Sequence, residues 1–273
     1  MFADFARIAE VLETIENKRL AIAFSGGVDS ITLARAAEIV LGRENLLLLF
    51  ADSVFAPSGE KHFALEWAQA RKIECVQVPF DPLAVPQIAA NGSDRCYFCK
   101  KALYTALWQA AKERDFQVLA DGENLDDQSD YRPGKKAADE LNVRHIFVEA
   151  RLDKAMIRDL AHDFALPNSQ APASACLASR IPCNIPIEPA MLKLADQAEN
   201  ILLSMGFAGS RVRIYPDLAK IETAPEDLEK FWKLRSGIMQ KLQKLNFKSI
   251  ALDLHGYRRG AVNGAEISGS DHE

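Results

Sequence analysis

The chain has 273 residues, 48% of them hydrophobic and 26% charged, with a net charge of -5 and a sequence pI near 5.7. That length buries a substantial core without disulfide staples and accommodates two domains. The acidic balance argues against a surface given over to nucleic acid, and no apolar run approaches the roughly 20 residues of a membrane span.

Residues 1–18 read as an amphipathic helix without the apolar core or cleavage site of a signal peptide, so a cytoplasmic setting is expected. Short apolar strands then alternate with helical periodicity. Strands are predicted over 20–24, 45–51, 75–78, 117–120 and 144–149, with helices over 30–41, 60–71, 101–114 and 154–164. Strands rich in leucine and β-branched residues, separated by helices, indicate βαβ units and an α/β, doubly wound parallel sheet covered on both faces. Such sheets bind ligands beyond the carboxyl ends of their strands. From 167 to 189 the texture changes to a proline-rich stretch without periodicity, the mark of a linker or a functional loop. Beyond it a helix over 190–205, strands over 210–215 and 219–222, a helix over 226–245 and a strand over 249–254 give an αββαβ pattern. The expected organisation is therefore a nucleotide domain over 1–166, a cysteine-bearing loop over 167–187 and a smaller α+β domain over 188–273.

The clearest chemical signal is Ala23, Phe24, Ser25, Gly26, Gly27, Val28, Asp29 and Ser30, placed between a buried strand and a helix. The glycines let main chain approach a ligand, and free amides at the helix N-terminus attract phosphate. Ser25 and Ser30 add hydroxyl donors. Asp29 is out of place at an anion site unless it holds a cation, and Mg2+ bridging phosphates would explain it. The plain alternative is a glycine-rich turn with Asp29 capping the helix. The spacing lacks the Gly-Lys-Ser/Thr step of a Walker loop and the three spaced glycines of a dinucleotide fold. It is similar to the SGGxDS loop of the PP-loop ATP pyrophosphatases. That resemblance implies cleavage of ATP between the α and β phosphates, with adenylation of a substrate oxygen. A second segment after a strand, Asp121 to Gly134, carries Gly122, Asn124, Asp126, Asp127, Asp130 and Arg132, suited to ribose, Mg2+ and phosphate contacts. By resemblance, Asp52 and Ser53 lie where these proteins hold adenine and ribose.

Five cysteines, Cys75, Cys96, Cys99, Cys176 and Cys183, form an odd set that argues against a disulfide framework. Cys75, inside a predicted strand, reads as core packing. Cys96 and Cys99 sit in a C-x2-C step at a helix start, beside Arg95, Lys100 and Lys101, which favours thiolates. Two thiolates do not complete a four-ligand site, and Cys176 in the irregular segment is the obvious third ligand. Three cysteines with an open iron position would let a [4Fe-4S] cluster bind sulfide and deliver it to an adenylate.

Six motifs then fall in order: SGGVDS (25–30), DRCYFCK (94–100), DYRPG (130–134), ACLASRIP (175–182), VRIYPDLAKIE (212–222) and LDLHGYRRG (252–260). Over nearly the whole chain the sequence resembles the ATP-dependent sacrificial sulfur transferase family, LarE. The resemblance implies adenylation of pyridinium-3,5-biscarboxylic acid mononucleotide and conversion of its carboxylates to thiocarboxylates, in nickel-pincer nucleotide synthesis. It implies ATP and Mg2+, with sulfur given up by Cys176 itself or relayed by a cluster on Cys96, Cys99 and Cys176. The C-x2-C pair favours the cluster. One departure is Ile181-Pro182-Cys183-Asn184, where the family shows a Pro-Tyr-Gly step. Arg211 and Arg213 alternate on a strand and so share a face. With Arg180, Arg258 and Arg259 they are candidates to hold the mononucleotide phosphate, with Asp217, Glu222 and Asp253 as ion-pair partners. The resemblance also implies a homo-oligomer and a small-molecule rather than nucleic-acid partner. A cluster-dependent tRNA thiolase, an amidating ligase and a non-catalytic nucleotide-binding module are the alternatives.

Overall fold

Four consecutive leucines, 46–49, form the middle of a sheet in the computed structural model, which describes residues 2–128, 133–171 and 175–258. Alternate side chains of a strand point to opposite faces, so an unbroken apolar run serves two cores. Leu46, Leu48 and Phe50 join one cluster with Ile22, Ile31 and Ile157. Leu47 and Leu49 join the other with Ala21, Tyr104 and Leu107. Both faces are covered, as a parallel sheet requires.

The described residues divide into two units, Met1–Ile88 with Asp94–Ala171, and Ala89–Ser93 with Pro172–Glu273. In the first, α1 (Phe2–Glu13), β1 (Leu20–Ala23), α2 (Val28–Leu41), β2 (Leu46–Asp52), α3 (Ser58–Arg71) and β3 (Glu74–Pro79) come in that order. There follow α4 (Pro86–Ala89), α5 (Arg95–Lys112), β4 (Leu119–Asp121), α6 (Leu125–Gln128), α7 (Pro133–Glu140), β5 (Arg144–His145), α8 (Ile146–Glu149) and α9 (Lys154–Asp163). The five strands are parallel in the order β3-β2-β1-β4-β5. Strand order reverses between β1 and β4, which makes the crevice beyond their carboxyl ends the expected ligand site.

One expected strand is corrected. Residues 144–149 pair with the sheet only at Arg144 and His145, and Ile146–Glu149 is a helical turn. Ile146 and Phe147 are consecutive, yet both are fully buried in the same cluster. A strand would send them to opposite faces; a turn of helix sends both inward. The helix α7 was not foreseen; α5 runs from Arg95, six residues before the predicted span, with Cys96 and Cys99 at its start as expected.

In the second unit, α10 (Pro189–Ser204), β6 (Arg211–Ile214), β7 (Ala219–Glu222), α11 (Leu228–Leu242) and β8 (Ile250–Leu252) realise the αββαβ pattern. The sheet order is β6-β7-β8, antiparallel then parallel. Residues 89–93 belong here because the buried Asn91 amide donates to the carbonyls of Pro182 and Ile185, each at 2.8 Å. Among the described residues no helix is long and apolar enough to cross a membrane.

Candidate functional site

The loop after β1 leaves the first amides of α2 without a side-chain cap, while the Gly27 N–H donates to Ser25 Oγ at 3.3 Å. Gly27 stands in extended conformation at the N-cap of α2, and no side chain caps the helix there. Helix N-termini left this way carry partial positive charge and attract anions. Gly26 has φ +80°, and a Cβ placed on it would lie 2.7 Å from the Ala64 Cβ on α3. Glycine is therefore required twice, by backbone angle and by packing. The hydroxyls of Ser25 and Ser30 lie 3.2 Å apart, and Ser30 Oγ donates to the Gly27 carbonyl at 3.1 Å. Phe24 contributes only main chain: its ring is buried against Trp67 while its N–H donates to the Leu49 carbonyl at 2.9 Å.

Gly26→Ala is expected to cost about 1–2 kcal/mol for left-handed backbone, with about 1–3 kcal/mol more for overpacking. Chemical denaturation would measure the loss and titration calorimetry the accompanying fall in ATP affinity. Unchanged stability would mean that the loop has room it does not show.

Asp29, the second residue of α2, is half-buried and its carboxylate receives Lys154 Nζ on both oxygens. Burial raises its pKa above the ordinary aspartate range and the charge of Asp127 adds to this, against the opposing pull of Lys154. A carboxylate so placed is eased by a cation. Asp29 with Asp127 offers the hard oxygen donors that suit Mg2+.

The turn after β4 closes the crevice from the other side. A Cβ on Gly122 would lie 3.1 Å from the Asp29 carbonyl carbon and from the Ser30 nitrogen, so this glycine admits the first turn of α2. Asn124 is buried, its Oδ1 accepting the Asp126 N–H at 3.1 Å, while Asp126 Oδ2 accepts the Lys154 N–H at 3.2 Å. Asp127 Oδ2 accepts the Asn124 N–H at 3.4 Å. Ser25 to Ser30, Gly122, Asn124 and Asp127 are thus brought to one end of the sheet. Asp52 and Ser53 stand at the end of neighbouring β2, where Asp52 pairs with Lys61 at 2.7 Å and Ser53 Oγ accepts the Phe55 N–H at 3.2 Å. Arg132, Asp130 and Arg259 lie outside the described residues.

Lys154 was missed. It lies 125 residues from Asp29, and a lysine opening a helix is too common to attract notice. Arg158, one turn on, donates to the carbonyls of Ser169 and Ala171 at 3.1 and 2.8 Å. Asn168 on the same segment donates to the Gly26 carbonyl at 3.3 Å. The Lys-x3-Arg spacing was the available signal.

Cys96 and Cys99 occupy the first turn of α5, three residues apart and so on one helix face, Cys96 exposed and Cys99 half-buried. Arg95 Nη2 lies 3.7 Å from Cys96 Sγ. The soft donors on one face suit iron. Cys75 is half-buried, and burial pushes its thiol up to about 11, consistent with a packing role.

In the second unit Cys176 is exposed and its carbonyl accepts Ser179 Oγ at 2.8 Å and Arg180 Nη1 at 3.3 Å. Arg180, 2% exposed, makes a two-point pair with Glu199 on α10, both contacts 2.8 Å, and also donates to the Ala175 carbonyl at 2.8 Å. Arg213 pairs with Glu222 at 2.7 Å and donates to the Ser179 carbonyl at 2.8 Å. Arg211 is buried with its guanidinium 5.4 Å from the Tyr257 ring centroid. Burial and the charges of Arg180 and Arg213 hold its pKa below the usual arginine value. Three buried guanidiniums therefore gather around two carboxylates, Glu199 and Glu222. Arg258 is exposed beside Tyr257. Of the three expected acidic partners only Glu222 meets an arginine. Asp253 pairs with Lys220 of β7 at 2.9 Å, and Asp217 pairs with Lys248, two residues before β8.

Residues 3–131 match the PP-loop domain family. The pyridinium-3,5-bisthiocarboxylic acid mononucleotide synthase of Lactiplantibacillus plantarum is 32% identical over 246 residues, 90% of this chain and 89% of that protein. The chain belongs to the LarE family of PP-loop proteins. An uncharacterized protein of Synechocystis is 35% identical over 91% of this chain and 93% of its own length. One of Methanocaldococcus jannaschii is 29% identical over 90% and 93%. Membership of the PP-loop domain family implies ATP binding, usually with Mg2+.

Proposed function

We propose that this enzyme adenylates the carboxylates of pyridinium-3,5-biscarboxylic acid mononucleotide and converts them to thiocarboxylates in nickel-pincer nucleotide synthesis. The observation that carries the reading is the uncapped α2 terminus, with its left-handed Gly26 and cation-seeking Asp29. The L. plantarum relative, a pyridinium-3,5-bisthiocarboxylic acid mononucleotide synthase, supplies the product.

ATP phosphates meet the amides of Gly26 to Ser30, and Asp29 with Asp127 would hold Mg2+. The substrate carboxylate attacks the α-phosphorus and pyrophosphate leaves. Catalysis at this step is positioning and charge neutralisation. The buried arginines support the phosphate assignment: Arg180, Arg211 and Arg213 lie close together in one unit, and an anion there would be held by charge-assisted hydrogen bonds. A sulfur nucleophile then adds to the acyl carbon and expels AMP. Cys176 is the donor, or Cys96, Cys99 and Cys176 hold a [4Fe-4S] cluster, which when bound supplies an open iron for sulfide. The C-x2-C pair favours the cluster, since sacrifice needs one cysteine only. A homo-oligomer and a cytoplasmic setting accompany this reading.

Exchange of labelled pyrophosphate into ATP tests it. Exchange should rise on adding the pyridinium dicarboxylate mononucleotide. Stimulation by tRNA or ammonia instead would favour the thiolase or the ligase, and no exchange would leave a nucleotide-binding module.

A further inference from the structure

Buried side-chain polar atoms in folded proteins have partners, and the exceptions ask for a reason. Among the described residues four such atoms stand without one, and two belong to a single cluster: Glu123 Oε1 and His145 Nε2. Asp121, at the end of β4, completes the cluster. One ligand atom from each of Asp121, Glu123 and His145 lies within 4.8 Å of the other two. All three lie in the first unit, and none has a place in the proposed reaction.

The surroundings fix this donor set in advance. Asp121 is 5% exposed; its Oδ2 accepts the Tyr104 hydroxyl, and its Oδ1 faces His145 Nδ1 at 2.7 Å and accepts the Glu123 N–H at 3.1 Å. Lys100, the nearby cation, lies on the Oδ2 side at 3.9 Å and donates to the Tyr104 oxygen at 2.7 Å. The side shared by Oδ1, Glu123 and the imidazole is left to carboxylate and ring nitrogen. His145 is 8% exposed, and moving its ring proton to the unpartnered Nε2 leaves Nδ1, 2.7 Å from Asp121 Oδ1, as the nitrogen open to an ion. A second carboxylate, Asp139, stands 4.0 Å from Nε2.

We propose that Asp121, Glu123 and His145 form a binding site for one divalent transition-metal ion, of the zinc class, separate from the magnesium of the phosphate loop. Imidazole with two carboxylates is a donor set for zinc and its neighbours rather than for Mg2+, which takes oxygen and water. Three protein ligands leave a fourth position for water. Gly122, between two of the ligands, abuts Asp29 and Ser30, so the ion braces the floor of the nucleotide crevice. The site does not depend on the sulfur chemistry proposed above.

Cobalt(II), a spectroscopic stand-in for zinc, provides the test. It is titrated into chelator-stripped, nucleotide-free protein carrying Cys96→Ser, Cys99→Ser, Cys176→Ser and Cys183→Ser, which removes the exposed thiols and Cys99. Weak visible d–d absorption should saturate at one equivalent without a thiolate charge-transfer band. His145→Asn and Glu123→Gln should each weaken binding ~10-fold or more, and Asp29→Asn should leave it unchanged. Glu123→Gln keeps the side-chain shape and serves where His145→Asn fails to fold. Absence of the bands, titration by Glu123→Gln like its parent, or loss of binding in Asp29→Asn would each overturn the site.

Discussion

Asp29→Ala is expected to lower AMP release by about 10²–10³-fold, the scale seen when one preorganised electrostatic partner of a reacting centre is removed. Asp29 stands at the positive end of α2, half-buried and facing Lys154. Burial holds its carboxyl above the ordinary range even with a lysine in contact, so the site favours a further cation. The competing account makes Asp29 a first-turn acid that complements the helix dipole, worth about 0.3–1 kcal/mol of stability and nothing in rate. Two measurements separate them. The Mg2+ dependence of AMP release should shift to higher concentration in Asp29→Asn, and thermal melting should move little. Undiminished AMP release with a lowered melting temperature would remove Asp29 from the metal site.

The glycine turn after β1 was legible because its geometry is local. Gly26, Gly27 and Asp29 act through backbone angles and helix position, which neighbouring residues announce. Gly122 was legible for a related reason, although its role is to admit the first turn of α2 as much as to approach a ligand. Lys154 was not legible, since its meaning comes from a partner on another helix that only folding brings near. The arginines show both cases. Their alternation on β6 was readable, but their burial follows from Glu199 on α10 and Glu222 on β7. The same limit applied at His145, where two consecutive buried residues turned an expected strand into helix.

Cys176→Ala is expected to abolish thiocarboxylate formation while leaving AMP release within about twofold, because adenylation and sulfur delivery use different groups. The substitution is clean for a structural reason. Cys176 holds its segment through its carbonyl, which accepts Ser179 Oγ, the Ser179 N–H and Arg180 Nη1. Alanine keeps that carbonyl and removes only sulfur. Sulfur transfer surviving in Cys176→Ala would take this cysteine out of the reaction under either route. Cys96→Ala then separates the routes. With a cluster, anaerobically purified protein has broad visible absorption, and Cys96→Ala loses both that colour and sulfur transfer. With sacrifice, Cys96→Ala transfers sulfur normally, and each sulfur delivered leaves the chain lighter by one hydrogen sulfide, as a dehydroalanine replaces the thiol. The C-x2-C pair on one face of α5 points to the first outcome, and colourless wild-type protein that still forms product would decide for the second.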